Sequence, residues 1–156
     1  MTTPALRRLR HVDVDPAAPL ASWPFEALVA VLERGSIRDW AILTTEIGRD
    51  PWGPVARQVE EYTRAEKILG LGPLLNRAIA RARRRAEEVE RAAVATHVSE
   101  LVRESGLSTA EFAERIGTSR SRLSTYRHGR VTPSAALMYR MERVAADASR
   151  DARTRP

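Results

Sequence analysis

Apolar residues recur at helical spacing through most of the chain, and glycine or proline interrupts them at intervals. Phe25, Leu28, Val29 and Leu32 form the first stripe, introduced by Ser22 and Pro24 and stopped at Gly35. Ser36 is placed to cap a second helix carrying Ile37, Trp40, Ala41, Leu43 and Ile47, with Gly48 as its end. Asp50 followed by Pro51 predicts the start of a third helix, running through Val55, Val59, Tyr62 and Ile68. Gly70 to Pro73 reads as a break. From there to Ser105 nothing interrupts the chain, which predicts one long helix or two helices meeting end to end.

Within that stretch Leu75, Ile79, Ala82, Ala86, Val89 and Ala93 alternate at spacings of four and three, a heptad-like seam. Its residues are mostly small, so self-association through it would be weak. A connecting helix that lays the stripe on its own N-terminal domain is the preferred reading. Strict two-residue alternation of β-branched residues is nearly absent. The expected class is all-α: an N-terminal helical domain joined by a long helix to a helix-turn-helix domain.

The expected organisation is a flexible arm over residues 1–21, a helical domain over 22–92, a helix-turn-helix domain over 93–147 and a flexible tail over 148–156. Pro4, Pro16 and Pro19 deny the arm a helix. His11, Asp13 and Asp15 lie in it without a second ligand cluster, so a solvated arm is preferred to a metal site. Trp23, Trp40 and Trp52 sit among aliphatics, which favours core packing over stacking on bases. Arg81, Arg83, Arg84 and Arg85 diverge around a helix and are followed by Glu87, Glu88 and Glu90, which reads as a solvated face.

Composition narrows the function. The sequence has no cysteine, which excludes disulfides, thiolate metal sites and thiol nucleophiles. No stretch approaches the roughly eighteen apolar residues of a membrane-spanning helix, and a cytoplasmic location is expected. His11, His97 and His128 fall in different elements with no pairing logic, and no phosphate-binding glycine loop, zinc motif or nucleophile elbow occurs. No enzymatic activity, catalytic residue, metal or cofactor is expected. The formal net charge is +6. Arg115, Arg120, Arg122, Arg127, Arg130 and Arg140 fall in a stretch that holds no acidic residue. A concentrated basic stretch suits a phosphate backbone better than diffuse charge does.

That stretch lies within residues 107–145, the most informative segment. Ser108 and Glu111 have the spacing of a capping box. Phe112, Ala113 and Ile116 form the buried face of a short helix, with Ala113 small enough for a close helix crossing. Gly117 stands in the turn. Thr118 or Ser119 caps the next helix, whose core side chains are Leu123 and Tyr126, and Gly129 closes it. Thr132, Pro133 and Ser134 open a last helix with Leu137, Met141 and Val144 inward. Two short helices across a glycine turn are the helix-turn-helix architecture. Arg120, Ser121, Arg122, Ser124 and Thr125 face outward, and a surface of arginine and small hydroxyls can enter a major groove.

Over about residues 95–146 the sequence resembles the XRE/Cro/C1 family of phage-repressor-like helix-turn-helix proteins. The resemblance rests on Leu107, Ala110-Glu111, Ala113, Ile116-Gly117, Ser119, Leu123, Gly129 and Pro133 in register. It implies base reading by Thr109, Arg120, Ser121 and Thr125, and phosphate contacts by Ser108, Ser119, Arg122, Arg127 and Arg130. It also implies double-stranded DNA with an inverted-repeat operator as partner, and a homodimer. Two departures stand out: Thr109 where the family often has Gln, and Arg127 where it often has Glu. The functional expectation is a transcriptional regulator, a repressor above an activator. The alternative is an antitoxin whose residues 22–92 bind a toxin while the helix-turn-helix controls its own operon.

Overall fold

The computed structural model describes residues 14–15, 18–65 and 71–154; the side chain of Leu71 is left aside. Among the described residues there are seven α-helices and no strand, the all-α class the patterning predicts. They are α1 (Phe25–Arg34), α2 (Ile37–Arg49), α3 (Pro54–Ala65), α4 (Leu71–Glu104), α5 (Thr109–Arg115), α6 (Arg120–Arg127) and α7 (Ala135–Thr154). The chain divides into two compact units, Met1–Ala86 and Glu87–Pro156. The long helix α4 contributes its first half to one and its second half to the other.

In the first unit α1, α2, α3 and the start of α4 bury an aliphatic core. Leu28, Leu43, Ile47, Val59 and Ile79 are almost fully inside it. Ser36 closes a reciprocal capping box with Asp39 at the start of α2. Trp23 and Trp40 pack into or against this core, and their indole N–H groups donate to the carbonyls of Ala18 and Val31, each at 3.1 Å. A buried indole needs such an acceptor.

Four expectations are corrected here. The third helix does not start at Pro51. Asp50, Pro51, Trp52 and Gly53 make a turn, with the Gly53 N–H bonded to the Asp50 carbonyl at 3.1 Å. Asp first, Pro second and Gly fourth suit that turn, and Pro54 then takes the first helical position. Trp52, at the third turn position, is 43% exposed and is not a core residue. Helix α2 passes through Gly48 and ends one residue later. The run of four arginines is not uniformly solvated. Arg83 donates bidentately to Glu60 at 2.7 and 2.9 Å and through Nε to the Pro51 carbonyl at 3.0 Å. Arg81, Arg84 and Arg85 are exposed.

The stripe on α4 is used unevenly. Leu75 and Ile79 are buried and Ala82 packs against the same core, whereas Val89 is 65% exposed and Ala93 is exposed. Expectations for His11 and Asp13, and for the extension of the third helix to Ile68, fall outside the described residues. The expected arm reaches too far along the chain: Leu20 is buried in a 3-10 turn, Leu20–Ser22.

The second unit joins the end of α4 to α5, α6 and α7. Val98, Phe112, Ile116, Leu123 and Met141 are its innermost side chains. The expected tail is helical through Thr154. Ala148 is buried, and the Ser149 hydroxyl donates to the Glu104 carbonyl at 2.8 Å, satisfying an orphan acceptor at the end of α4.

Candidate nucleic-acid interface

Local chemistry fixes the ends of α5 and α6. Ser108 accepts from the Glu111 N–H while the Glu111 carboxylate accepts from the Ser108 N–H at 2.9 Å. Hydrogen bonds from Ser108, the side chain first and the backbone second, hold the Glu111 carboxyl below the usual glutamate range. Ser119 caps α6 by accepting from the Arg122 N–H at 3.1 Å.

Both helices end in the same motif. Gly117 follows α5 at φ +73° and Gly129 follows α6 at φ +64°, where a Cβ would be strained. The Thr118 N–H bonds the Ala113 carbonyl at 2.9 Å, and the Arg130 N–H bonds the Thr125 carbonyl at 3.0 Å. These are the long bonds of Schellman caps. Ala113 is 2% exposed and shares the core with Phe112 of α5 and Leu123 and Tyr126 of α6.

The outward side of α6 holds the expected site residues in different states of freedom. Arg120 and Ser121 are exposed, and among the described residues neither side chain has a protein partner. Thr125 turns its hydroxyl back to the Arg122 carbonyl at 2.7 Å. Arg122 is exposed, yet its Nε donates to the Tyr126 hydroxyl at 2.9 Å, which raises the guanidinium pKa further. Thr109 opens α5 and lies 3.5 Å from Nη1 of Arg127 through its hydroxyl oxygen. The two departures from the family pattern therefore sit together. Arg127 Nε is buried with no hydrogen-bond partner. Arg130 is exposed just beyond α6.

Two residues carry roles that sequence reasoning missed. Arg140 belongs to the acid-free basic stretch, but its Nη1 donates to the Ile116 carbonyl at 2.8 Å and clamps the end of α5. Ser105 is 4% exposed; its hydroxyl donates to the Val102 carbonyl at 2.7 Å and accepts from the Leu107 N–H at 3.2 Å. It thereby bridges the exit of α4 to the entry of α5. Chain-distant contacts of the Arg140 kind leave no periodic signal. The position of Ser105 immediately before Gly106 at a helix end was the available hint for the other.

The stretch from Arg115 to Met141 alone matches the net charge of the whole chain, so basic and acidic residues balance elsewhere. Two short capped helices around a Schellman turn, with arginines and hydroxyls outward on the second, define a DNA-binding helix-turn-helix domain. The family profile described as helix-turn-helix matches residues 98–145, and this part of the chain is an XRE-type helix-turn-helix of the kind that serves DNA-binding regulators. No curated protein and no solved structure matches the chain. Among the described residues no helix is long and apolar enough to cross a membrane, and no group of three His, Asp or Glu side chains is placed to hold a metal ion.

Proposed function

We propose that the protein is a sequence-specific transcriptional repressor that lays α6 in the major groove of a two-fold operator. The observation that carries this reading is the outward face of α6: Arg120 and Ser121 are exposed and unpartnered at its start, and no acid interrupts the face. Arg120 is assigned to base reading, since a guanidinium can bond bidentately to guanine O6 and N7. Ser121, Thr125 and Thr109 are the other base-reading candidates. Ser108, Ser119, Arg122, Arg127 and Arg130 are assigned to phosphates, which fix register without carrying sequence information.

Two-fold operators call for paired chains, and a homodimer is part of the proposal. Residues 22–92 are assigned to pairing or to binding another protein. The test is selection of bound sequences from random duplexes by the full chain, followed by a salt titration. An inverted repeat should emerge. Its affinity should fall with salt by about 0.9 in log K per log unit of salt for each phosphate neutralised. Indifference to duplex DNA at low ionic strength would end the proposal. Co-purification of a small toxic partner would move the first unit's role to an antitoxin.

A further inference from the structure

At the start of α6 the guanidinium of Arg122 is held and that of Arg120 is free, and the difference traces to Tyr126. We infer that Tyr126 is a positioning residue for Arg122, using its buried ring as an anchor and its hydroxyl as a rest for the guanidinium. The inference depends on the DNA-binding reading above and deepens it.

Tyr126 is 4% exposed and belongs to the core of the second unit, so its ring position is set by packing. One turn earlier on the same helix, Arg122 meets the Tyr126 Oη through Nε at 2.9 Å. The backbone at Arg122 is held as well. Its N–H caps on Ser119 at 3.1 Å, and its carbonyl accepts the Thr125 hydroxyl at 2.7 Å. A flexible arginine ordinarily loses rotamer freedom when it binds, and here much of that loss is taken before any ligand arrives. The bond uses one of five N–H donors and leaves both Nη groups, which have no protein partner among the described residues. A paired Nη edge on a fixed stem matches two oxygens of a phosphodiester. Arg120, which has no such rest, stays adaptable, as base reading needs. The pairing thus separates a fixed phosphate contact from a mobile base contact two residues away.

Tyr126→Phe removes the hydroxyl and keeps the ring. The test measures affinity for the selected operator and for a random duplex of about 30 base pairs, salt dependence and thermal unfolding. Affinity for both duplexes is expected to fall together, by roughly three- to tenfold. The salt slope should stay unchanged, because Arg122 keeps its charge. In an Arg122→Gln background the same substitution should add nothing. Arg122→Lys keeps the charge but loses both the Nε and the paired Nη edge, so it should weaken both duplexes by at least as much as Tyr126→Phe. If Tyr126→Phe fails to fold, the test is hydrogen exchange in the unmodified free chain, where the Arg122 Nε–H should exchange with solvent more slowly than that of Arg120; equal rates overturn the inference. An equal loss in both backgrounds, or no loss in the Arg122 background, overturns the inference while leaving the DNA-binding reading intact. Failure of the unmodified chain to bind any duplex overturns both.

Discussion

The guanidinium of Arg140, on α7, donates through Nη1 to the carbonyl oxygen of Ile116 at the end of α5, a separation of 24 residues closed at 2.8 Å. A positive group at a helix C-terminus satisfies an orphan acceptor and opposes the negative end of the helix dipole. The same Nη1 stands 3.3 Å from where a Cβ on Gly117 would lie, so the turn between α5 and α6 is held from behind. Arg140→Ala is expected to cost about 1 kcal/mol of stability, or several degrees in melting temperature. Calorimetry on the full chain checks this. An unchanged unfolding profile would show that the bond to the Ile116 carbonyl does not hold the turn.

Acid should loosen the start of α5. Ser108 hydrogen bonds depress the Glu111 carboxyl, so the folded state binds that proton less readily than the unfolded chain does. The stabilisation is present above the ordinary glutamate range and is lost as pH falls through that range towards the depressed folded value. Glu111→Gln keeps an acceptor at the same position and cannot titrate. Melting temperatures of the two chains should differ at neutral pH and converge in acid. Parallel curves down to about pH 3 would refute the assignment.

Base reading and backbone contact separate by substitution. Arg120→Ala is expected to narrow the gap between the selected operator and mismatched duplexes by about 1–3 kcal/mol at one position. Arg130→Ala should weaken every duplex alike and lower the salt slope by about one. Competition binding across a panel of single-base variants distinguishes them. Equal losses on all sequences for both variants would remove Arg120 from the reading face.

Arg127 is the residue whose removal should be cheapest for stability. Its buried, unpartnered Nε is an unmet donor. Arg127→Met replaces the guanidinium by an apolar chain and is expected to leave stability unchanged or raise it by up to about 1 kcal/mol. Duplex affinity should fall at the same time. A variant that loses both stability and affinity would show that the long contact to Thr109 already satisfies the side chain.

In the first unit, the four-arginine run should divide sharply. Arg83 bridges α4 to Glu60 on α3 and to the Pro51 carbonyl, with only 28% of its side chain exposed. Arg83→Ala is expected to cost about 1–2 kcal/mol. Arg84→Ala, at an exposed position, should stay within about 0.5 kcal/mol. Denaturant unfolding monitored by tryptophan fluorescence reads both.

What could be read from the sequence was what is local. The caps at Ser36, Ser108 and Ser119 and the breaks at Gly117 and Gly129 are decided by residues within a few positions, and they stand where spacing put them. Asp50-Pro51 misled because two prolines compete there: a turn uses the first and the helix uses Pro54. Arg83 and Arg140 were read as charge, since their acceptors lie 23 and 24 residues away and only folding brings them close. Tyr126 was legible as core from its period. Its hydroxyl's service to Arg122 was not, because either side chain has an ordinary reading alone.

The proposed reading surface is cationic through guanidinium groups, and the chain's only lysine is Lys67. Acetylation, which discharges amines, has no target among residues 107–145. Arginine methylation would leave the charge in place while blocking bidentate contacts, and no physiological swing in acidity deprotonates a guanidinium. Control over this surface by discharging it is therefore closed, and what remains is covering it, competing anions, or modifying its hydroxyls and guanidinium edges.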